Sequence, residues 1–353
     1  MSYRTLKEEI EVLEQGLPPQ EDDGFIGGKL NPKEANLILI PVPWEATVSF
    51  GEGTAKAPDK IKISSHQLDL ETFHYEKPYA AGIAMLKTDK KLLKLSNKAR
   101  KKAIKVIEAL ENNSTNKKAL DFVNKASNIL NASIYKKCLK QLKKGKFVGV
   151  VGGDHSSPLG LLKALNDTQK EPFGILHVDA HHDLREAYEG FTYSHASIFY
   201  NTMKECEKVN KLVQVGIRDY SSEESLRMKN YKQKGACLYD TNMQQLLAKG
   251  ESLENIFSSY IEQLPKNVYL SIDIDGLEPL NCPNTGTPVP GGLRYSQLEH
   301  LIYMVVKSNK NIIGFDLCEV GSSENDWDEN VGARVLYQLC AALLASQNKI
   351  NYN

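Results

Sequence analysis

What most constrains this chain is a series of short, near-continuous apolar runs alternating with helical stretches: Phe147–Val151, Phe173–Val178, Leu212–Ile217, Val268–Ile272 and Ile312–Phe315. A strand with one face in water alternates polar and apolar residues, whereas a strand that is apolar throughout has both faces covered. Such strands, separated by helices, specify a parallel sheet with helices on both sides. Leu37–Ile40, closed by Pro41-Val42-Pro43, reads as a further buried strand. It enters a loop running through Trp44 to Gly53-Thr54, with Pro58 placed where a helix can start. Residues 1–30 are polar, carry Gly27-Gly28 near their end and read as an extension laid over the surface. Residues 90–146 are rich in Lys, Ala, Leu and Asn. Apolar residues recur there at helical spacing (Ala103, Ile104, Ile107, Leu110; Val123, Ala126, Ile129, Leu130), which predicts several amphipathic helices. The expectation is one α/β domain over 31–353 with a mostly parallel central sheet and the 90–146 helical segment inserted in it.

Charge narrows the partners. Lys+Arg and Asp+Glu both number 44, so no net basic field attracts nucleic acid. The basic run in 90–146 has almost no interleaved aromatics and reads as a solvated helical face. No apolar run approaches the 18 residues of a membrane span. Met1–Gln20 is charged from Arg4 onward and lacks the apolar stretch of a secretory signal. The cysteines (Cys138, Cys206, Cys237, Cys282, Cys318, Cys340) form no C-x-x-C pair and read as reduced thiols filling the core.

Three apolar runs end in polar clusters. Phe147–Val151 leads into Gly152-Gly153-Asp154-His155-Ser156; Phe173–Val178 contains His177 and leads into Asp179-Ala180-His181-His182-Asp183; Val268–Ile272 leads into Asp273-Ile274-Asp275-Gly276. In parallel α/β sheets, ligands bind beyond the carboxyl ends of the strands, where all three clusters fall. In extended chain Asp179, His181 and Asp183 point to one side, as do Asp273 and Asp275. Carboxylates crowded at one edge repel each other unless a cation holds them. Four Asp with two His and no thiolate form an oxygen-rich set that leans to Mn²⁺, with Ni²⁺, Fe or Zn²⁺ compatible. Six ligands exceed one tetrahedral ion and suffice for two ions sharing carboxylates about 3.5–4 Å apart. Asp154 reads as a turn residue, His177 as a support for Asp179, and His182 alternates to the other side with no role assigned.

These strings, followed by Gly286-Thr287-Pro288 and Gly291-Gly292-Leu293, resemble the ureohydrolase family of arginases and agmatinases from around Leu37 to around Leu344. The stretch Pro43-Trp44-Glu45 through Gly53-Thr54 to Pro58 resembles the family's first loop. The resemblance implies a three-layer α/β/α fold. It implies one manganese held by His155, Asp179, Asp183 and Asp273, and a second held by His181, Asp179, Asp273 and Asp275. It assigns catalysis to His195, Glu319 and Asp183. Glu319, in Asp316-Leu317-Cys318-Glu319-Val320, matches the carboxylate that holds a guanidinium. His195, in Ser194-His195-Ala196, matches a proton-transfer histidine, and Thr287 a residue lining the guanidinium pocket. A small guanidino substrate, the cytoplasm and a homo-oligomer, trimeric or hexameric, are implied as well. A single-zinc deacetylase of the same broad architecture would not need all six ligands. A catalytically silent metal-binding member would not need Glu319 and His195.

The substrate is read from the residues just after the second motif. Arginases carry an Asn two residues after D-A-H-x-D, where this chain has Arg185. The string Leu184-Arg185-Glu186-Ala187-Tyr188-Glu189-Gly190, before Ser194-His195-Ala196, resembles agmatinases, which points to agmatine cleaved to putrescine and urea. Arg185 also suits a carboxylate. Formimidoylglutamate, guanidine and guanidino acids therefore stay as alternatives, with arginine weakened. Arg185 is expected to pair with Glu186 or Glu189 and fix the loop. Two departures from the family pattern, Glu278 and Asn284, fall in a loop expected near the substrate entrance and so bear on specificity.

Overall fold

The computed structural model describes residues 3–20, 22–322 and 324–353, and each near-continuous apolar run lies in a strand there. The strands are β1 (Leu37–Pro41), β2 (Ile83–Met85), β3 (Phe147–Val151), β4 (Phe173–Val178), β5 (Val209–Ile217), β6 (Gly235–Tyr239), β7 (Asn267–Asp273) and β8 (Asn311–Cys318). The helices are α1 (Leu6–Glu14), α2 (Ala57–Ser64), α3 (Lys90–Glu111), α4 (Lys117–Leu142), α5 (Leu159–Thr168) and α6 (Ile198–Glu205). After these come α7 (Ser222–Asn230), α8 (Asp240–Ala248), α9 (Leu253–Ile261), α10 (Tyr295–Lys307) and α11 (Trp327–Ser346). The strands form one sheet in the order β2-β1-β3-β8-β7-β4-β5-β6. Every neighbouring pair is parallel.

Period-two alternation divides the apolar residues between two cores. Leu37, Leu39, Leu270 and Ile272 pack on one face with α2, α10 and α11. Ile38, Ile40, Val148 and Val150 pack on the other with α4, α5 and α6. Helix, sheet and helix thus make three layers. Neither short edge strand, β2 or β6, was anticipated; β2 has only three residues and β6 is mostly half-buried, so neither writes a long apolar run.

The 90–146 segment is a hairpin of two long helices. Asp89 caps α3 by accepting from the Lys91 and Leu92 amides, and Asn116 caps α4 through the Ala119 amide. Helix α4 packs beside α5 over the sheet, close enough that a Cβ at Gly160 would fall 2.6 Å from the Tyr135 nitrogen. Helix α3 lies against α4. Of the residues at helical spacing, Ala103, Val123, Ala126 and Leu130 are buried, whereas Leu110 and Ile129 are exposed. In the N-terminal stretch, a Thr5–Glu8 capping box opens α1, and Phe25 and Ile26 are buried in the same core as α2. All six cysteines are free. Among the described residues no helix is long and apolar enough to cross a membrane.

Candidate active site

Strands β3, β8, β7 and β4 are consecutive in the sheet, and being parallel they deliver their polar tails to one edge. His155, after β3, holds its Nδ1 3.2 Å from Asp179 Oδ2, 3.1 Å from Asp183 Oδ2 and 3.2 Å from Asp273 Oδ2. On its other side, Nε2 lies 3.0 Å from Ser271 Oγ, which donates to Asp316 Oδ2 at 2.8 Å. The serine proton is committed to Asp316, so Ser271 accepts from Nε2–H, which leaves Nδ1 turned to the three carboxylates. So many oxygens around one ring nitrogen need a proton or a cation among them. That arrangement fits a divalent metal.

A second group adjoins the first. His181 Nδ1 lies 3.3 Å from Asp179 Oδ1 and 3.2 Å from Asp275 Oδ2, so Asp179 offers one oxygen to each group. The free oxygen of Asp273 accepts from the Asp275 amide at 2.9 Å. Convergence comes from turns and not from extended chain. Strand β4 stops at Val178, and Asp183 adopts a left-handed φ of 54°. The next residue is held on both sides: Leu184 N donates to Glu224 Oε1 at 3.2 Å, and Leu184 O accepts from Arg227 Nη1 at 2.7 Å. Asp275 lies in a single 3₁₀ turn, Ile274–Gly276, and its Oδ1 accepts from the Ala180 amide at 3.0 Å, tying the two loops together.

The supporting residues are buried. His177 Nε2 lies 2.8 Å from Asp179 Oδ2, and Gln214 bridges His177 to His182 at 2.8 and 2.6 Å. His182 is thereby fastened to β5, away from the carboxylates. Asp154 is a turn residue that accepts from the Ser156 amide and hydroxyl.

Electrostatics report the same crowding. Burial first, then Asp275 and Asp179, holds Asp273 well above the carboxylate range. Burial and Asp179 push Asp183 up to about 7. Burial also opposes charge on Asp179, His155 and His181. Their mutual contacts prevail, keeping Asp179 well below its ordinary value and both histidines well above theirs. A buried set of this kind is compatible with a binuclear metal site.

The cluster floors a cavity of about 280 Å³. Glu319, just past β8 with a φ of 59°, donates its amide to Gly153 O and accepts the His155 amide on Oε1, both at 2.9 Å. Burial, then Asp154, raises its pKa well above the ordinary value. Thr287 and Gly286 line the wall beside it; a Cβ at Gly286 would lie 3.6 Å from Glu319 Oε2. His195 also lines the cavity, its Nδ1 3.3 Å from Thr47 Oγ1, and its amide donates to the same hydroxyl at 3.2 Å. Burial, then His181 and His155, lowers its pKa to about 3, leaving the ring neutral.

Arg185 departs from expectation. It reaches neither Glu186 nor Glu189: Nε lies 3.5 Å from Glu224 Oε2, and the guanidinium covers Tyr188 at 4.8 Å from the ring centroid. Glu224 outcompetes the nearer acids because it is already fixed by the Ser221 capping box at the start of α7. Glu278 and Asn284 do not line the cavity. Asn284 turns away, donating its amide and side chain to Asp328 of α11 at 2.8 and 2.9 Å. Residues after β5 were missed. Asp219, Tyr220 and Ser221 line the cavity mouth, and Asp219 forms no ion pair among the described residues. The polar tail Arg218-Asp219 following an apolar run was the available signal, by the same strand-end rule.

Residues 35–345 match the model of the Arginase family. An N(1)-aminopropylagmatine ureohydrolase of Thermus thermophilus is 31% identical over 305 residues, covering 86% of this chain and 89% of the relative. An agmatinase of Halalkalibacterium halodurans is 29% identical over 303 residues, covering 84% and 87%. The agmatine ureohydrolase structure of Thermoplasma volcanium superposes with a TM-score of 0.65 at 22% identity, covering 90% and 92%, which supports the fold. The chain belongs to the Arginase family and is a hydrolase acting on linear amidines.

Proposed function

We propose that the protein cleaves the guanidino group of an amine-tailed guanidine, agmatine, giving urea and putrescine. The observation carrying this reading is a pair of carboxylates lining one cavity: Glu319, buried beside the His/Asp cluster, and Asp219, exposed to solvent, neither in an ion pair among the described residues. A substrate cationic at both ends complements that pair. Arginine and guanidino acids would set a carboxylate toward Asp219 while Arg185 is engaged by Glu224. Guanidine would leave Asp219 without a partner.

Two Mn²⁺ ions, or Ni²⁺ as the alternative, would be held by His155, Asp179, Asp183 and Asp273 and by His181, Asp179, Asp273 and Asp275. They would supply a water of lowered pKa at neutral pH. Glu319 accepts N–H bonds from the planar guanidinium, and the His155 amide fixes the carboxylate's orientation as it does so. This sets the guanidinium carbon beside the cluster. Neutral His195 takes up a proton as the C–O bond forms and gives it to the departing amine nitrogen as the C–N bond breaks.

A second reading takes the aminopropyl-extended agmatine named for the Thermus relative. Its secondary ammonium would meet Asp219, its terminal amine would pass Tyr188 and Tyr220 at the open mouth, and hydrolysis would leave a triamine. Urea release by the Mn²⁺-loaded protein, measured across agmatine, aminopropylagmatine, arginine, guanidine and guanidinobutyrate, separates these. Preference for agmatine supports the first reading and preference for its extended form the second. Urea from arginine, guanidine or the acid alone overturns both, as does formamide from formiminoglutamate.

A further inference from the structure

His195 lies in a short turn, not on a strand or a long helix, and its Nδ1 partner Thr47 lies on a different loop, 148 residues away in sequence. Both loops are gripped by the α3–α4 hairpin. From α3, buried Ser96 accepts the Glu45 amide on Oγ at 3.0 Å. Four residues on, Arg100 donates Nη1 to the Val48 carbonyl and Nε to Glu52 Oε1 at 2.9 Å. Val48 follows Thr47 and itself lines the cavity. From α4, Asn124 donates to the Gly190 carbonyl at 3.3 Å and accepts the Thr192 amide at 3.0 Å. Phe191, four residues before His195, is fully buried with Ala103, Val106, Ala119 and Val123 in a small core separate from the two that flank the sheet.

The hairpin therefore holds the Thr47 loop by a guanidinium fork and the His195 loop by an amide side chain and a buried ring. None of these contacts reaches the six His/Asp residues of the cluster. Arg100 is only 12% exposed, so its bond to the Val48 carbonyl is largely shielded from competing water. A planar fork can hold a carbonyl and a carboxylate at once; a lysine ammonium on a flexible stem holds them less rigidly.

We infer that the α3–α4 hairpin is a clamp that sets the Thr47–His195 spacing, with Arg100 as a positioning residue for proton transfer to the leaving nitrogen. The inference rests on His195 being the proton carrier of the proposed reaction. It separates two duties within one chain: the sheet edge gathers the metal and guanidinium groups, and the inserted helices hold the proton carrier.

The test uses the full-length, Mn²⁺-loaded protein with Arg100→Ala, Arg100→Lys and the exposed control Lys101→Ala. Arg100→Ala is expected to lower kcat about tenfold, with KM and bound metal per chain unchanged. Arg100→Lys should recover part of the loss, and Lys101→Ala should behave as the parent. In a His195→Ala background, Arg100→Ala should leave the residual kcat unchanged, because the residue it positions is gone. Amide exchange should quicken in residues 44–53 and 190–196 and stay constant in 269–275 and 312–319. An equal fall in kcat with and without His195, or unchanged exchange in both loops, overturns the clamp. If no guanidine yields urea, the role of His195 as proton carrier fails, and the exchange experiment still decides whether the helices hold the two loops.

Discussion

Asp183 occupies a left-handed backbone conformation, a geometry that costs a non-glycine residue about 1 kcal/mol. It is kept there by the bonds of the Leu184 backbone, whose amide donates to Glu224 and whose carbonyl accepts from Arg227, and its carboxylate completes the set around His155. Asp183→Asn is therefore expected to lose bound metal, measured by elemental analysis of the purified protein. The pH dependence has a definite sign. Without a cation, folded Asp183 keeps its proton until about pH 7, whereas the unfolded chain releases it near pH 4. The folded form thus binds more protons across that window, and the stabilisation from Asp183 is lost as pH rises through 7. A bound cation takes the proton's place. Chelation should consequently lower Tm more at pH 8 than at pH 6, and an equal loss at both would contradict the argument. At the mouth, Asp219→Asn should raise KM for agmatine about tenfold while leaving kcat near the parent value, since it removes a contact made equally in ground and transition states. The His and Asp residues could be picked from the sequence because their spacing is local and chemically unusual. Asp219 could not be weighed the same way: one acid after a strand resembles many solvated acids until the fold sets it in the lining of the same cavity as Glu319.

At the scale of elements, Asn284 shows how a departure in sequence acquires a structural reason. Its two bonds to Asp328 fasten the β7–α10 loop to the first turn of α11. Asn284→Gly should remove the side-chain bond and cost about 1 kcal/mol in a denaturant titration, with urea release unchanged. Helical periodicity announced the amphipathic character of 90–146, and the caps at Asp89 and Asn116 fix where its two helices begin. That the hairpin grips two loops bearing cavity residues was not legible. The contacts responsible, Arg100 to Val48 and Asn124 to Gly190, join residues whose nearness depends on how the hairpin docks. The convergence of Asp179, His181 and Asp183 was anticipated from extended chain and arises instead through a tight turn, because β4 ends one residue before the motif.

For the whole molecule, apolar runs identified a covered parallel sheet, and the polar tails identified which edge of it bears the chemistry. Strand order was hidden, since a uniformly apolar strand carries no mark of its neighbours. That order has a consequence for how the chain is made. Strand β8 is the last strand to be synthesised, yet it stands between β3 and β7. Until it emerges from the ribosome, the growing polypeptide can hold only two half-sheets, β2-β1-β3 and β7-β4-β5-β6, each with an open backbone edge. His155 then belongs to one half, and Asp179 and Asp273 to the other. A cation held through His155 could be enclosed only after the final strand has closed the seam, whereas one held by His181, Asp179, Asp273 and Asp275 would need only the half built on β4 and β7.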